Sequence, residues 1–336
     1  YDNQGSSSWQ TIYNRNFNNT PNVPYDNWVR NNEVQLTNNF GNLLQVNDAL
    51  NRRSATLNGY NHQRQVASAS NAYYSQLAFD GFEDYDYITN ECSAINSVNF
   101  SGYIEHFNFY NYKTQLTNSA AHTGKYSMAI IPGTTGPNSI SVSRHLTNPT
   151  PASAADNVPY TFKGIDDCGL FGPFFNFNTT QNFIISVWIK EIDSTSYSSP
   201  MVNDYASGSV SVKVGTNILT SSPKKSPIIN GWQKLEYTFT LPNNSYSNID
   251  DIIVTLINSS TNRTCLFDDI RIHPFNSSMK TMVYDPFSLR LMAEHDDRNF
   301  STIYEYDEEG TLVRVKKETE KGIYTIKETR SGLKKQ

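Results

Sequence analysis

The chain of 336 residues carries a formal charge of −5, with 37% hydrophobic and only 18% charged residues. Its 21 Tyr and 18 Phe are too many aromatics for a disordered chain, its slight acidity is wrong for a nucleic-acid binder, and it has no apolar run of about 18 residues that would make a membrane helix. What remains is an all-β protein with an aromatic core and a neutral, Asn/Ser/Thr-rich surface, a composition that leans toward an extracellular setting.

Residues 1–77 form a β-rich first segment. Thr37 to Val46 reads as a Gly-containing turn running into a strand, and Asn47 to Ser54 as a turn into the next. A soft boundary near Ser68–Ser75 precedes the run Leu77-Ala-Phe-Asp-Gly-Phe-Glu-Asp84.

Residues 78–274 read as many short strands. In Phe183 to Lys190, the residues Phe183, Ile185, Val187 and Ile189 share one face, and Ser186, Trp188 and Lys190 the other. Such period-2 alternation of β-branched and aromatic residues is a strand signature. It returns in Val210–Val214, Trp232–Thr240, Asp251–Ile257 and Cys265–Ile272. Turn clusters at Pro132–Pro137, Asn230-Gly231 and Pro242–Ser245 separate these runs. About 200 residues in this grammar, without helical periods, predict a β-sandwich of the jelly-roll class.

Residues 275–336 differ in charge. From Ser277 onward 22 of 60 residues are charged, 11 of each sign, against about one in eight before. Leu289, Leu291 and Ala293 alternate, and turns at Asp296–Asn299, Asp307–Gly310 and Glu320–Gly322 separate the strands Ser301–Tyr306, Thr311–Lys316 and Ile323–Glu328. Gly310 suits the left-handed position of a tight turn. These hairpins hold few large apolar residues, so they are expected to dock on another sheet or to continue a longer array. The balanced charges suit cross-strand pairs on solvated hairpins. The chain opens at Tyr1 without a signal-peptide pattern and reads as a piece of a longer protein. Cys92, Cys168 and Cys265 allow one disulfide that the sequence does not assign, or serve as three small buried hydrophobes.

Two resemblances follow. Tyr304-Glu-Tyr-Asp-Glu-Glu-Gly-Thr-Leu-Val-Arg314 resembles the YD repeat of RHS-like surface proteins, with Tyr284-Asp285…Leu289 and Phe40-Gly-Asn-Leu-Leu-Gln-Val-Asn-Asp48 as degenerate copies. The stretch from Met282 to Ser331 resembles the C-terminal region of large secreted proteins of Bacteroidetes-type bacteria. The middle segment resembles a carbohydrate-binding-module-like jelly roll through Phe79–Asp84, His122–Met128, Ile185–Lys190, Gly231–Glu236 and Leu266–Ile272, in that order. Its insert from Tyr85 to Ala121 departs from that family's pattern.

The second resemblance implies a structural Ca²⁺ held by Glu83, the carbonyl of Lys125, and Asp268 or Asp269. A hard cation takes six to eight oxygens from carboxylates and carbonyls; the other reading is that these acids end strands and cap turns in water. A glycan face is expected among Tyr103, Phe107, Phe109, Tyr110, Tyr112 and Trp188, with His106, Tyr197 and Tyr205 nearby, because sugar C–H faces stack on aromatic rings. The same rings would equally fill a core. No HExxH, GxSxG, phosphate-loop or dinucleotide pattern appears, and the six His are scattered, so no enzyme is expected. The sequence therefore predicts a non-catalytic cell-surface or secreted module for adhesion or glycan binding, partnered by a glycan, another surface protein or a larger parent chain. The alternative is an architectural component of an RHS-type or secretion-linked surface assembly with no ligand of its own.

Overall fold

The computed structural model describes residues 31–38, 40–87, 107, 109–145, 181–194, 198–241 and 251–329. Tyr103, His106, Cys92, Cys168 and Tyr197 lie outside them. Four strands come first: β1 (Asn32–Thr37), β2 (Leu43–Asp48), β3 (Arg53–Gly59) and β4 (Arg64–Ser70). The middle segment supplies β5 (Ala78–Asp80), β6 (Leu116–Thr117), β7 (Ser127–Ile130), β8 (Asn138–His145), β9 (Asn182–Asp193), β10 (Gly208–Val214), β11 (Asn217–Ile218), β12 (Lys224–Ile229), β13 (Trp232–Thr240), β14 (Asp251–Asn258) and β15 (Arg263–Pro274). Then come β16 (Ser278–Tyr284), β17 (Leu291–His295), β18 (Ser301–Tyr306), β19 (Leu312–Thr319) and β20 (Gly322–Glu328).

The middle strands build an antiparallel jelly-roll-class sandwich. One sheet runs β11-β10-β14-β8; the other runs β12-β13-β9-β15-β7-β6, with β5 also on β15. Alternation explains how they face each other. Phe183, Ile185, Val187 and Ile189 of β9 are all fully buried against Val210 and Val212 of β10 and Ile252, Val254 and Leu256 of β14. Burying each such side chain contributes roughly 1.5–3 kcal/mol. The other face of β9 carries Ser186 and Trp188, away from that core, and Trp188 joins a second cluster with Ile229, Trp232, Leu266 and Phe300.

The first and last segments form one sheet. Its order is β1-β2-β3-β4-β16-β17-β18-β19-β20. The join is β4 to β16, with Ala67 opposite Thr281 and Ala69 opposite Met279. The expectation that the tail hairpins need another sheet thus meets a physical answer: they extend the N-terminal sheet. Beneath this sheet Leu57, Val66, Ala67, Met279, Val283 and Ala293 pack on Leu77 and Phe79, which lead into the sandwich.

Four of its hairpin turns share one construction. The first residue, Asn38, Asp48, Asp296 or Asp307, donates its own N–H to the carbonyl four residues on, and its carbonyl accepts from the N–H three residues on. Its side-chain oxygen accepts the N–H of the residue four on, at 2.7–2.9 Å. The fourth residue is left-handed: Gly41 at φ 82°, Asn51 at 57°, Asn299 at 65° and Gly310 at 86°. Only Gly, and to a lesser degree Asn, tolerates that conformation readily. Asp285 heads a version one residue longer, with Leu289 at φ 53°. Leu289 therefore sits in a turn, not in the alternating strand read from the sequence, because the strand begins at Leu291.

Candidate metal and ligand sites

The most chemically loaded region lies where the sandwich meets the nine-stranded sheet. Strand β15 pairs with β7 over Cys265–Phe267 and with β5 over Ile270–Ile272, leaving a notch between them. At that notch β15 bulges: its register with β9 jumps between Asp268 and Arg271, and Asp269 is left-handed at φ 48°. A bulge sets two residues opposite one and re-aims side chains. Here Asp268 opposes Trp188 and Arg271 opposes Ser186, so both lie on the sheet face away from the sandwich core, while Ile270 and Ile272 return to that core. Loops 81–84 and 122–126 enter the notch.

Each carboxylate there has a distinct partner set. Asp269 Oδ2 lies 2.7 Å from His122 Nδ1 and 3.1 Å from His295 Nε2, and Thr123 Oγ1 donates to both Asp269 oxygens at 3.0 and 2.9 Å. Asp268 accepts the backbone N–H of His122 at 2.7 Å and that of Asp269 at 2.8 Å. Glu83 Oε1 accepts the N–H groups of Lys125 at 2.5 Å and Tyr126 at 2.6 Å, whereas Glu83 Oε2 is buried without a hydrogen-bond partner. Glu318 takes His122 Nε2 at 3.0 Å on one oxygen and the N–H and hydroxyl of Ser301 on the other.

The electrostatics divide the acids into two groups. For Asp269, burial works upward, but His295 and His122 outweigh it and hold the carboxyl below its usual range. For His122, burial pulls downward, yet Glu318 and Asp269 raise it to about 9. Asp268 and Glu83 have no such cation. Burial, then the neighbouring Asp269 charge, pushes Asp268 well up. Burial also drives Glu83 to about 8, against the pull of the two N–H groups.

Of the residues expected to hold Ca²⁺, the structure therefore places Glu83, Asp268 and Asp269 around one notch, with Asp269 engaged by two histidines. Lys125 gives its N–H to Glu83 and pairs its ammonium with Asp285. The donor set fits a hard cation: an orphaned, buried carboxylate oxygen on Glu83 and an uncompensated Asp268 are oxygen ligands lacking positive charge. Gly124, at φ +66°, passes so close to Glu83 that a Cβ there would collide with its carboxylate. The histidines and Glu318 were missed from sequence. His122 stands in the quoted His-Thr-Gly-Lys turn, but Glu318 is 196 residues away, and only the sheet pairing brings it and His295 in.

The expected aromatic face is arranged differently. Phe107 and Phe109 are fully buried between the sandwich sheets, beside Phe82 and Tyr85. The Tyr85 hydroxyl donates to Asp80 at 2.5 Å and accepts the N–H of Phe109 at 3.1 Å, which fixes this stretch inward. Tyr110 and Tyr112 are half-buried against the same core, and Tyr205 is buried with its hydroxyl on the Gly231 carbonyl. Trp188 is buried on the opposite face of its sheet: it stacks on His122 with centroids 4.0 Å apart, meets Phe300 at 5.7 Å, and donates its indole N–H to the Asn299 carbonyl at 2.8 Å. A ligand thus has no access to Phe107, Phe109 or Trp188 in this fold.

Trp188 belongs to a clasp. Arg271, fully buried, donates to the carbonyls of Met279 at 3.1 Å, Asp296 at 2.8 Å and Asp297 at 2.7 Å. The Lys234 ammonium donates to the Arg298 carbonyl at 2.7 Å and lies 4.6 Å over the Phe300 ring. Three donors of the sandwich thus hold the backbone of one hairpin turn, residues 296–299. Elsewhere, the outer end of the nine-stranded sheet carries an open groove of about 470 Å³. Its lining includes the uncharged polar side chains of Asn42, Ser54, Thr56, Asn58 and Gln65, and Phe40, 62% exposed, stacks on His62 at 4.4 Å beside it.

No protein-family model and no curated protein matches the chain. Among described residues, no helix is long and apolar enough to cross a membrane. Among solved structures, the chain is similar to the CBM22-1 xylan-binding domain of Xyn10C from Paenibacillus barcinonensis, at 14% identity and a TM-score of 0.27, over 47% of this chain and 78% of that chain.

Proposed function

We propose that the chain is a non-catalytic architectural module: a jelly-roll sandwich clamped to a YD-repeat-like sheet, within a larger surface or secreted assembly. The clasp of Arg271, Lys234 and Trp188 on the 296–299 turn carries this reading. It covers the sandwich face that bears Trp188 and spends that face's donors on the protein's own backbone. The repeated Asx-headed turns support the YD-repeat relation, since Asp307 and Gly310 of the Tyr-Asp motif do in their turn what Asp48 and Asn51 do in theirs. Among described residues no strand pairs beyond β20, whose Tyr324 and Ile326 are exposed; such an edge suits continuation into a parent array or partner sheet. Within the module, a structural Ca²⁺ on Glu83, Asp268 and the Lys125 carbonyl would supply the missing positive charge. Adding Ca²⁺ to metal-stripped protein is expected to raise Tm in the wild type and not in Glu83→Gln; an unchanged wild-type Tm removes the ion.

The second reading, adhesion through glycan binding, is favoured by one observation: the uncharged groove beside the Phe40–His62 stack. Amides and hydroxyls match sugar hydroxyls, and an exposed ring offers a stacking surface. A broad glycan array probed with the whole chain separates the two. The architectural reading expects no hits; hits erased by Phe40→Ala establish the glycan reading and displace the first.

A further inference from the structure

The buried pair His122 and His295 converges on Asp269 from two different sheets' territory. His122 precedes β7 of the sandwich, Asp269 is the bulge residue of β15, and His295 ends β17 of the nine-stranded sheet. One ligand atom from each of the three lies within 4.8 Å of the other two, and Asp269 Oδ2 is 2.7 Å from His122 Nδ1 and 3.1 Å from His295 Nε2. First-row divalent metals bind imidazole nitrogen and carboxylate oxygen at about 2.0–2.2 Å, a spacing such a triangle accommodates around a central ion.

The far nitrogen of each imidazole is already held. His122 Nε2 lies 3.0 Å from Glu318 Oε1, and His295 Nδ1 lies 2.9 Å from Thr281 Oγ1. Metal-bound histidines nearly always have such a partner on the other nitrogen, which orients the ring. On the inner side, His295 Nε2 is buried and lacks an aligned hydrogen-bond partner although Asp269 Oδ2 is 3.1 Å away. A buried ring nitrogen left unaligned toward a carboxylate it faces is costly without something between them. Trp188, stacked on His122, helps exclude water.

We propose that His122, Asp269 and His295 form a site for a zinc-type divalent metal that ties the sandwich to the nine-stranded sheet, with Glu318 and Thr281 as positioning residues. It is separate from the oxygen set of Glu83 and Asp268 and takes a softer ion. Binding displaces any proton from the two inner imidazole nitrogens, so each metal bound releases at most two protons to solvent. Because the three groups are buried, the metal enters as the chain folds.

The test is to refold the whole chain with equimolar Co²⁺ or Zn²⁺, remove loose metal, and measure bound metal and the Co²⁺ visible spectrum. The expected result is one metal per chain with a ligand-field band, lost in His295→Ala and kept in Glu83→Gln. Thr281→Val, which leaves all three ligands, is expected to weaken affinity about tenfold or more; it decides the matter should His295→Ala not fold. No retained metal in the wild type, or metal retained equally by His295→Ala or with unchanged affinity by Thr281→Val, overturns the proposal and leaves the cluster a hydrogen-bonded relay.

Discussion

Gly124 and Gly41 are both left-handed, at φ +66° and +82°, yet only Gly124 faces a neighbour, the Glu83 carboxylate; nothing lies within 4 Å of a Cβ at Gly41. Alanine costs about 1 kcal/mol wherever φ is positive, and a collision adds to it. Gly124→Ala is therefore expected to lower the urea midpoint clearly more than Gly41→Ala. Equal losses would mean the approach to Glu83 is not tight. His273 supplies a pH readout remote from the carboxylate notch. Burial, then the charge of Arg271, lowers it to about 3 from an ordinary 6.5, against the pull of the Pro274 carbonyl. In the unfolded chain it protonates near 6.5, so stability is full above that pH and falls as pH drops toward 3. His273→Gln is expected to flatten that loss by on the order of a few kcal/mol, read as unfolding free energy between pH 7 and 4.

The Asx-headed turn is the element that organises the nine-stranded sheet. Asp296 is the test position because its Oδ1 accepts two N–H groups, from Arg298 at 3.0 Å and Phe300 at 2.9 Å. Asp296→Ala is expected to cost about 1–2 kcal/mol, while Asn51→Gly, which keeps the left-handed backbone, stays near neutral or gains slightly. Urea denaturation of both variants checks this; a neutral Asp296→Ala would show that the side chain does not set the turn. This element was readable in part. Asp-x-x-Gly and Asp-x-x-Asn marked the turns, and the alternation of Phe183 to Ile189 marked a core strand, because both are local patterns. The bulge at Asp268–Asp269 was not readable, since it lies in the gap between the stretches of β15 paired with β7 and β5, and those pairings are long-range.

At the scale of the molecule, the decisive facts are long-range. Ala67, Ser68, Ala69 and Ser70 of β4 have small side chains with no pairing signal, so nothing local foretold that β16 would join them. The His122–Asp269–His295–Glu318 cluster escaped for the same reason: it exists only once the sandwich and the sheet meet. Phe107, Phe109 and Trp188 are buried, which is the core-filling alternative that the sequence left open beside the glycan face. Sandwich and sheet behave, on this account, as one cooperative body held at the clasp.

Native-state hydrogen exchange with Arg271→Ala tests that claim most directly. In the wild type, the amides of β16–β18 are predicted to open with nearly the same free energy as those of β9 and β15. Arg271→Ala, which leaves the Met279, Asp296 and Asp297 carbonyls without their donor, is predicted to lower protection across both units together by several kcal/mol. Wild-type amides of β16–β18 that exchange independently and much faster than those of β9, with β9 unchanged in the variant, would contradict it.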